Sequence, residues 1–244
     1  MKDIVTIALP KGRLLNPSIA LFRKNGLLPR GLKADSRKLL FENAPHRIRM
    51  VIVRAVDVPT YVEYGAADMG IAGKDVLLEQ EPDVYEPLDL RFGACRIVVA
   101  GPRTAAVTPS WSSAKLKIAT KYPKIAERYF NEKGLPVEII RLSGAVELAP
   151  LVGLSEQIVD LITTGTTLRE NHLEEQAVIA ESTARLIVNR ASLKTKTKTI
   201  TDLIQRLKKR SARRPNEADP DQHKNTDPDV AGRSAADRFG LGGD

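Results

Sequence analysis

Short apolar runs alternate with stretches of helical periodicity along most of the chain, the pattern of an α/β fold. Residues 4–9 read as a first strand. Leu15, Ile19 and Phe22, with Leu14 and Leu21, then fall on one helical face, and Gly26 supplies a stop. Residues 39–41 and 50–53 predict strands, and Asp57 ahead of Pro59 opens a helix ending near Gly65. Residues 69–72 predict another strand and 74–79 a short helix. A second series begins at residues 96–100. Strands are predicted at 117–119 and 137–140, around a helix over 123–133 that Gly134 terminates, and further strands at 158–162, 178–180 and 186–188. Ile200, Leu203, Ile204 and Leu207 form one stripe on a closing helix. Residues 211–244 are rich in Asp, Pro, Gly, Asn and Arg and nearly free of large apolar side chains. They cannot offset their ordering entropy and are expected to be a disordered tail.

The pattern is most informative between residues 147 and 168. The apolar run at 158–162 is interrupted only by Asp160 and stops at Thr163-Thr164-Gly165-Thr166-Thr167, after which helix-forming residues follow. A strand, a tight turn and a helix N-terminus are therefore expected. Backbone N–H groups at such a junction lack intrahelical partners, the helix dipole favours an anion, and threonine hydroxyls add donors. A single Thr-Gly is more often a plain cap, but four threonines around one glycine favour phosphate binding. Lys11-Gly12-Arg13 follows the first strand, at the end where α/β proteins bind ligands, and pairs two cations with a glycine that lets backbone approach closely.

Composition narrows the classes. A chain of 244 residues with 42% hydrophobic content can bury a real core. No apolar run approaches the roughly 18 residues of a membrane span. The N-terminal apolar run is short and Lys11 and Arg13 follow at once, so no signal peptide is expected and the protein reads as cytoplasmic. One cysteine, Cys95, excludes an internal disulfide, and His46, His172 and His223 show no metal-ligand spacing. The net charge of +8 is uneven, with −2 over residues 211–244 and +10 over the rest. The basic residues are dispersed, without aromatic interleaving or a nucleic-acid motif, so polyanionic small molecules suit them better than nucleic acid.

The stretch from Glu147 to Leu168 resembles the signature of the ATP phosphoribosyltransferase family, which opens histidine biosynthesis. Three further segments match that family. They are Ile7-Ala-Leu-Pro-Lys-Gly-Arg-Leu14, the run from Val53 to Val76, and Ala184-Arg-Leu-Ile-Val-Asn-Arg-Ala-Ser192, so the similarity covers residues 4–209. It implies two α/β lobes like those of type II periplasmic binding proteins, with the ligand cleft between them. Lobe I is then residues 1–90 plus 176–210, and lobe II residues 91–175. It also implies transfer of the phosphoribosyl group of phosphoribosyl pyrophosphate to N1 of ATP, expelling pyrophosphate. The short form of the family is implied, in which a homodimeric catalytic subunit joins a hetero-oligomer with a regulatory subunit resembling a histidyl-tRNA synthetase.

Residue roles follow from the same resemblance. Thr163, Thr164, Gly165, Thr166 and Thr167 should hold the sugar 5′-phosphate. Asp160 either accepts from the ribose hydroxyls or is a strand Asp satisfied by local backbone, and Glu147 either touches ligand or only begins a helix. Lys11, Gly12, Arg13, Arg54 and Asp68 are assigned to ATP. Lys11, Arg13 and Arg37 are the candidate catalytic residues, with Arg37 on the leaving pyrophosphate because a guanidinium fork suits two phosphate oxygens. Mg2+ is expected to arrive with the substrates, without a dedicated protein cage. Two alternatives are weaker. A type I phosphoribosyltransferase carries adjacent acidic residues just before its phosphate loop, whereas Leu161 and Ile162 separate Asp160 from the threonines. A non-catalytic two-lobed binding module is normally exported.

Overall fold

The structure, a computed structural model, describes residues 4–103 and 115–211. The expected disordered tail lies, from residue 212 onward, outside the described residues. The first sheet has six strands in the order β2-β3-β1-β4-β11-β5. They are β1 (Val5–Lys11), β2 (Leu40–Asn43), β3 (Ile48–Arg54), β4 (Met69–Gly73), β5 (Tyr85–Asp89) and β11 (Ala184–Val188). Strand β1 runs parallel to β3 and β4, while β11 is antiparallel to β4. Both faces are covered. One buries Ile7, Leu9 and Met50 against Phe22 of α1 (Leu15–Lys24) and Leu207 of α7 (Thr197–Ser211). The other packs Ala8 and Ala72 against Val58 and Val62 of α2 (Val58–Glu63). A sheet buried on both faces requires near-continuous apolar runs, and that is why these strands are legible as runs rather than alternations.

The second sheet has five strands in the order β10-β6-β9-β7-β8. They are β6 (Cys95–Pro102), β7 (Leu116–Thr120), β8 (Val137–Arg141), β9 (Gln157–Ile162) and β10 (Leu173–Ser182). Here β7 is parallel to β8 and β9, while β6 is antiparallel to β9 and to β10. One face packs Ile97, Val99 and Val159 against Ile125 and Phe130 of α4 (Pro123–Glu132). The opposite face packs Val98 and Ile158 against Leu168 of α5 (Thr166–Glu170).

The chain thus forms a two-lobed α/β fold and passes between its sheets twice, before β6 and between β10 and β11. The second passage lies at Thr183, between Ser182 and Ala184. Residues 176–182, expected with the first sheet, instead continue β10 alongside β6. The cause is a strand of ten residues whose polar outer positions hide its length from a search for apolar runs. Strand β5 and the short helix α6 (Arg190–Thr195) were not anticipated either. Strand β5 has no fully buried residue, and α6 is anchored by a polar cap, the Asn189 side chain accepting from the Ser192 N–H.

Candidate functional site

Parallel strands deliver their following loops to one edge of each sheet, and the expected site residues are sorted by that rule. In the second lobe, β9 ends at Ile162 and α5 begins at Thr166. Between them Gly165 takes a left-handed backbone (φ 73°), which turns the chain from strand into helix. The Thr164 and Thr166 hydroxyls lie 3.1 Å apart, and Arg169 donates to Thr166 Oγ1 at 3.5 Å. Residues 161–168, with Lys121, Ala145, Glu147 and Asp160, line a cavity of about 310 Å³.

That cavity gathers Glu147, Asp160 and the whole Thr163–Thr167 loop. Glu147 stands on a single 3-10 turn, Val146–Leu148, rather than at the start of a longer helix. Asp160 is partly buried, and burial holds its carboxyl above the usual range. A hydrogen bond from the Leu161 backbone and the nearby Lys121 ammonium oppose this, while the Glu147 carboxylate adds to it. Lys121 was not anticipated. Its signal was available, because it follows the carboxyl end of β7 just as Lys11 ends β1.

In the first lobe, Lys11 and Arg54 are register partners at the carboxyl ends of β1 and β3. Both are exposed, and among the described residues no hydrogen bond or ion pair engages either side chain. Two like charges side by side without a counter-charge favour an incoming anion. Gly12 (φ 94°) turns the chain into Arg13. Arg13 reaches towards the second lobe, donating to the Gly93 carbonyl at 2.6 Å and the Cys95 sulfur at 3.3 Å. Arg37 is exposed in the segment before the edge strand β2 and makes no hydrogen bond or ion pair among the described residues.

Asp68 does not join this edge. It precedes β4, so a parallel strand leaves it at the opposite, amino end of the sheet. Its buried carboxylate accepts from Thr6 N (2.8 Å), Ser192 Oγ (2.6 Å) and Lys196 Nζ (2.9 Å). Asp68 therefore fastens the α6–α7 junction to the sheet and is unavailable to a ligand in the cleft. Proximity to the glycine-rich β4 misled the sequence expectation, because strand direction, not spacing, decides which end faces the cleft. At the other end of β4, Lys74 pairs with Glu86 at 2.7 Å.

Tyr122 was also not anticipated. It follows Lys121, and its hydroxyl donates to Asp75 of α3 (Lys74–Gln80) at 3.3 Å, spanning the two lobes. Burial, followed by the carboxylates of Asp75 and Asp160, pushes its pKa well above the ordinary phenol range. Among the described residues no cluster of three or more His, Cys, Asp or Glu side chains could hold a metal ion, and no helix is long and apolar enough to cross a membrane.

Comparison with known proteins identifies the family. The model of the family "HisG: ATP phosphoribosyltransferase" matches residues 54–209. The chain is 60% identical over 212 residues to an ATP phosphoribosyltransferase of Geobacter metallireducens, covering 86% of this chain and 99% of that protein. It is likewise 60% identical over 210 residues to ATP phosphoribosyltransferase 2 of Geobacter sulfurreducens, with coverage of 86% and 99%. Among solved structures, an ATP phosphoribosyl transferase (HisG:HisZ) complex from Thermotoga maritima superposes with a TM-score of 0.74 at 36% identity, over 84% of this chain and 98% of that one. The periplasmic aliphatic sulphonate binding protein SsuA from Escherichia coli matches with a TM-score of 0.56 at 11% identity, over 87% and 74%, a likeness of fold alone. The family model and these relatives, together with the two-lobed architecture, show that the chain belongs to the ATP phosphoribosyltransferase family.

Proposed function

We propose that the protein transfers the 5-phosphoribosyl group of phosphoribosyl pyrophosphate to N1 of ATP, releasing pyrophosphate, the first step of histidine biosynthesis. The observation that carries this is the cavity of about 310 Å³ formed by the threonine loop together with Asp160, in a chain whose family is established. Adenine N1 already holds a lone pair, so no strong general base is needed. The chemistry requires instead that two polyanions be held close together and that charge on the departing pyrophosphate be offset.

The loop Thr163–Thr167 then holds the 5′-phosphate, which does not react, with backbone N–H groups and hydroxyls as donors. Asp160 takes the ribose hydroxyls, and Glu147 borders the same cavity. Lys11, Gly12, Arg13 and Arg54 receive the ATP phosphates at the facing edge. Arg37 is assigned to the pyrophosphate leaving group. Magnesium belongs to the substrates, whose phosphate oxygens and water supply its ligands and whose charge it shares. The first lobe is taken as residues 1–90 with 183–211 and the second as 91–182, the boundary following the passage at Thr183.

The chain spans nearly the full length of its curated relatives, which supports the short form. The relative from Thermotoga maritima is a HisG:HisZ complex, which supports a second subunit; the proposed assembly is a homodimeric catalytic subunit joined by a regulatory partner resembling a histidyl-tRNA synthetase. The cytoplasm is where ATP and phosphoribosyl pyrophosphate are available together.

The test is incubation with ATP, phosphoribosyl pyrophosphate and Mg2+. Phosphoribosyl-ATP and pyrophosphate should appear in equal amounts. Efficient ribosylation of adenine, hypoxanthine or orotate, with ATP left untouched, would refute the assignment.

A further inference from the structure

A chain of polar contacts crosses the hinge at the point where both interlobe passages meet. Arg13, in the loop after β1, donates to the Cys95 sulfur at 3.3 Å, and that thiol donates to the Ser182 carbonyl at 3.7 Å. Cys95 begins β6 and Ser182 ends β10, so the contact fastens one passage to the other. The Ser182 hydroxyl accepts from the Asp75 N–H at 3.0 Å and donates to Asp75 Oδ1 at 2.8 Å. Asp75 is 6% exposed, and its second oxygen accepts from the Tyr122 hydroxyl.

Tyr122 carries the chain of contacts to the strand that bears Asp160. Its backbone N–H donates to Thr120 Oγ1 at 2.8 Å, and the Thr120 hydroxyl donates to the Val159 carbonyl at 2.6 Å. Val159 immediately precedes Asp160 on β9. One residue thus has its backbone tied to the strand bearing the pocket carboxylate and its hydroxyl tied to the first turn of a helix in the other lobe. These bonds are buried or part-buried, where a polar group without a partner is costly, so the arrangement strongly favours one geometry.

We propose that Tyr122 is a positioning residue that, through Asp75, sets the first lobe against the Asp160 strand and so fixes the distance between the two substrates across the cleft. This rests on the phosphoribosyl-transfer function proposed above. Tyr122 touches neither reacting atom on this proposal. It acts by orientation, and in bimolecular transfers a misplacement of about 1 Å costs on the order of a hundred-fold in rate.

The experiment is a double-mutant cycle of Tyr122→Phe and Asp75→Ala. Its readouts are single-turnover rate with both substrates saturating and dissociation constants for each substrate alone. Tyr122→Phe keeps the ring and removes only the donor. It should slow the chemical step by about ten- to a hundred-fold while each binary dissociation constant stays within about two-fold. The double variant should be no slower than the slower single variant, because the Tyr122 hydroxyl has no Asp75 acceptor left once the carboxylate is removed. Multiplicative losses, an unchanged rate, or a loss confined to binary affinity would overturn the proposal.

A substrate-free readout separates this from failure of the function itself. The Asp75 amide, which donates to the Ser182 hydroxyl, should exchange its hydrogen about ten-fold faster in Tyr122→Phe than in the wild type, because the Asp75 carboxylate that orients Ser182 loses its Tyr122 donor and the turn opens more readily. Unchanged protection overturns the positioning role even if turnover is normal. Absence of phosphoribosyl-ATP from the wild-type protein overturns the function, whatever the exchange result. Should Tyr122→Phe fold poorly, Asp75→Ala alone supplies the same rate and affinity measurements.

Discussion

The two strand-end loops that face the cleft are built on the same topological rule and are chemically opposite. In the second lobe the loop after β9 encloses its own site, with hydroxyls, backbone N–H groups and a carboxylate around a cavity of about 310 Å³. In the first lobe Lys11 and Arg54 stand exposed and side by side, and Arg13 is already engaged with Gly93 and Cys95 at the hinge. One edge encloses a cavity, whereas the other carries exposed cations without a counter-charge among the described residues. The difference suits a reaction in which one phosphate must stay still while another group departs. A stationary phosphate is best held by short, directed hydrogen bonds. Charge that develops during transfer is best met by cations, whose attraction reaches further.

The comparison breaks most readily at Arg13. Alanine there removes a charge-assisted bond to the Gly93 carbonyl and a cation from the ATP edge. The single-turnover rate should fall by about a hundred-fold or more. Arg13→Lys should recover little of it, because an ammonium lacks the fork that reaches two acceptors together. Full activity in the lysine variant would show that charge alone matters at this edge.

A smaller effect is expected at Gly165. The space beside its Cα is open, so an added methyl group meets nothing within 4 Å, and the penalty is conformational. A left-handed backbone costs an L-residue about 1–2 kcal/mol. If Gly165→Ala relieves that strain by loosening the turn, affinity for phosphoribosyl pyrophosphate should weaken roughly five- to thirty-fold. ATP affinity should be untouched. Equal loss of both affinities, measured by titration, would mean that the two edges are not separate sites.

Asp160→Asn should produce the smallest change in stability and one of opposite sign. Burial raises the folded-state pKa of Asp160 above its ordinary 3.8. The folded protein therefore holds this proton more tightly than the unfolded chain. The stabilisation is fully present below the ordinary value and is lost as pH rises through the raised one. Asparagine, which never ionises, should raise the thermal midpoint at neutral pH and give no gain below 3.8. Turnover should nevertheless fall on the proposed assignment, because asparagine offers the ribose hydroxyls one uncharged acceptor oxygen in place of a carboxylate. A variant less stable at neutral pH than the wild type would show that the ionised carboxylate is held by contacts stronger than its burial penalty.

The legibility of these two edges in the sequence was uneven for a physical reason. The threonine loop is contiguous, so Asp160 and the residues at 163–167 meet in one cavity as their spacing implies. Asp68 lies next to a glycine-rich strand in sequence, yet strand direction carries it to the amino edge, where Thr6, Ser192 and Lys196 take its carboxylate. Tyr122 and Asp75 were invisible for the converse reason. They are distant in sequence and meet only because the lobes pack. Apolar runs located most of the doubly covered strands, whereas β5 and the outer part of β10 escaped because their burial is partial.

The division of labour between the two edges is tested most directly by binary titration with phosphoribosyl pyrophosphate, paired with single-turnover rates, for Thr164→Val and Arg37→Ala. Thr164→Val should weaken binding by about ten-fold and leave the saturated rate nearly unchanged, since it removes one donor to a charged phosphate. Arg37→Ala should bind phosphoribosyl pyrophosphate within about two-fold of the wild type and react on the order of a hundred times more slowly. An Arg37→Ala protein that reacts at the wild-type rate once saturated, with only its affinity reduced, would contradict the division and make Arg37 a binding residue.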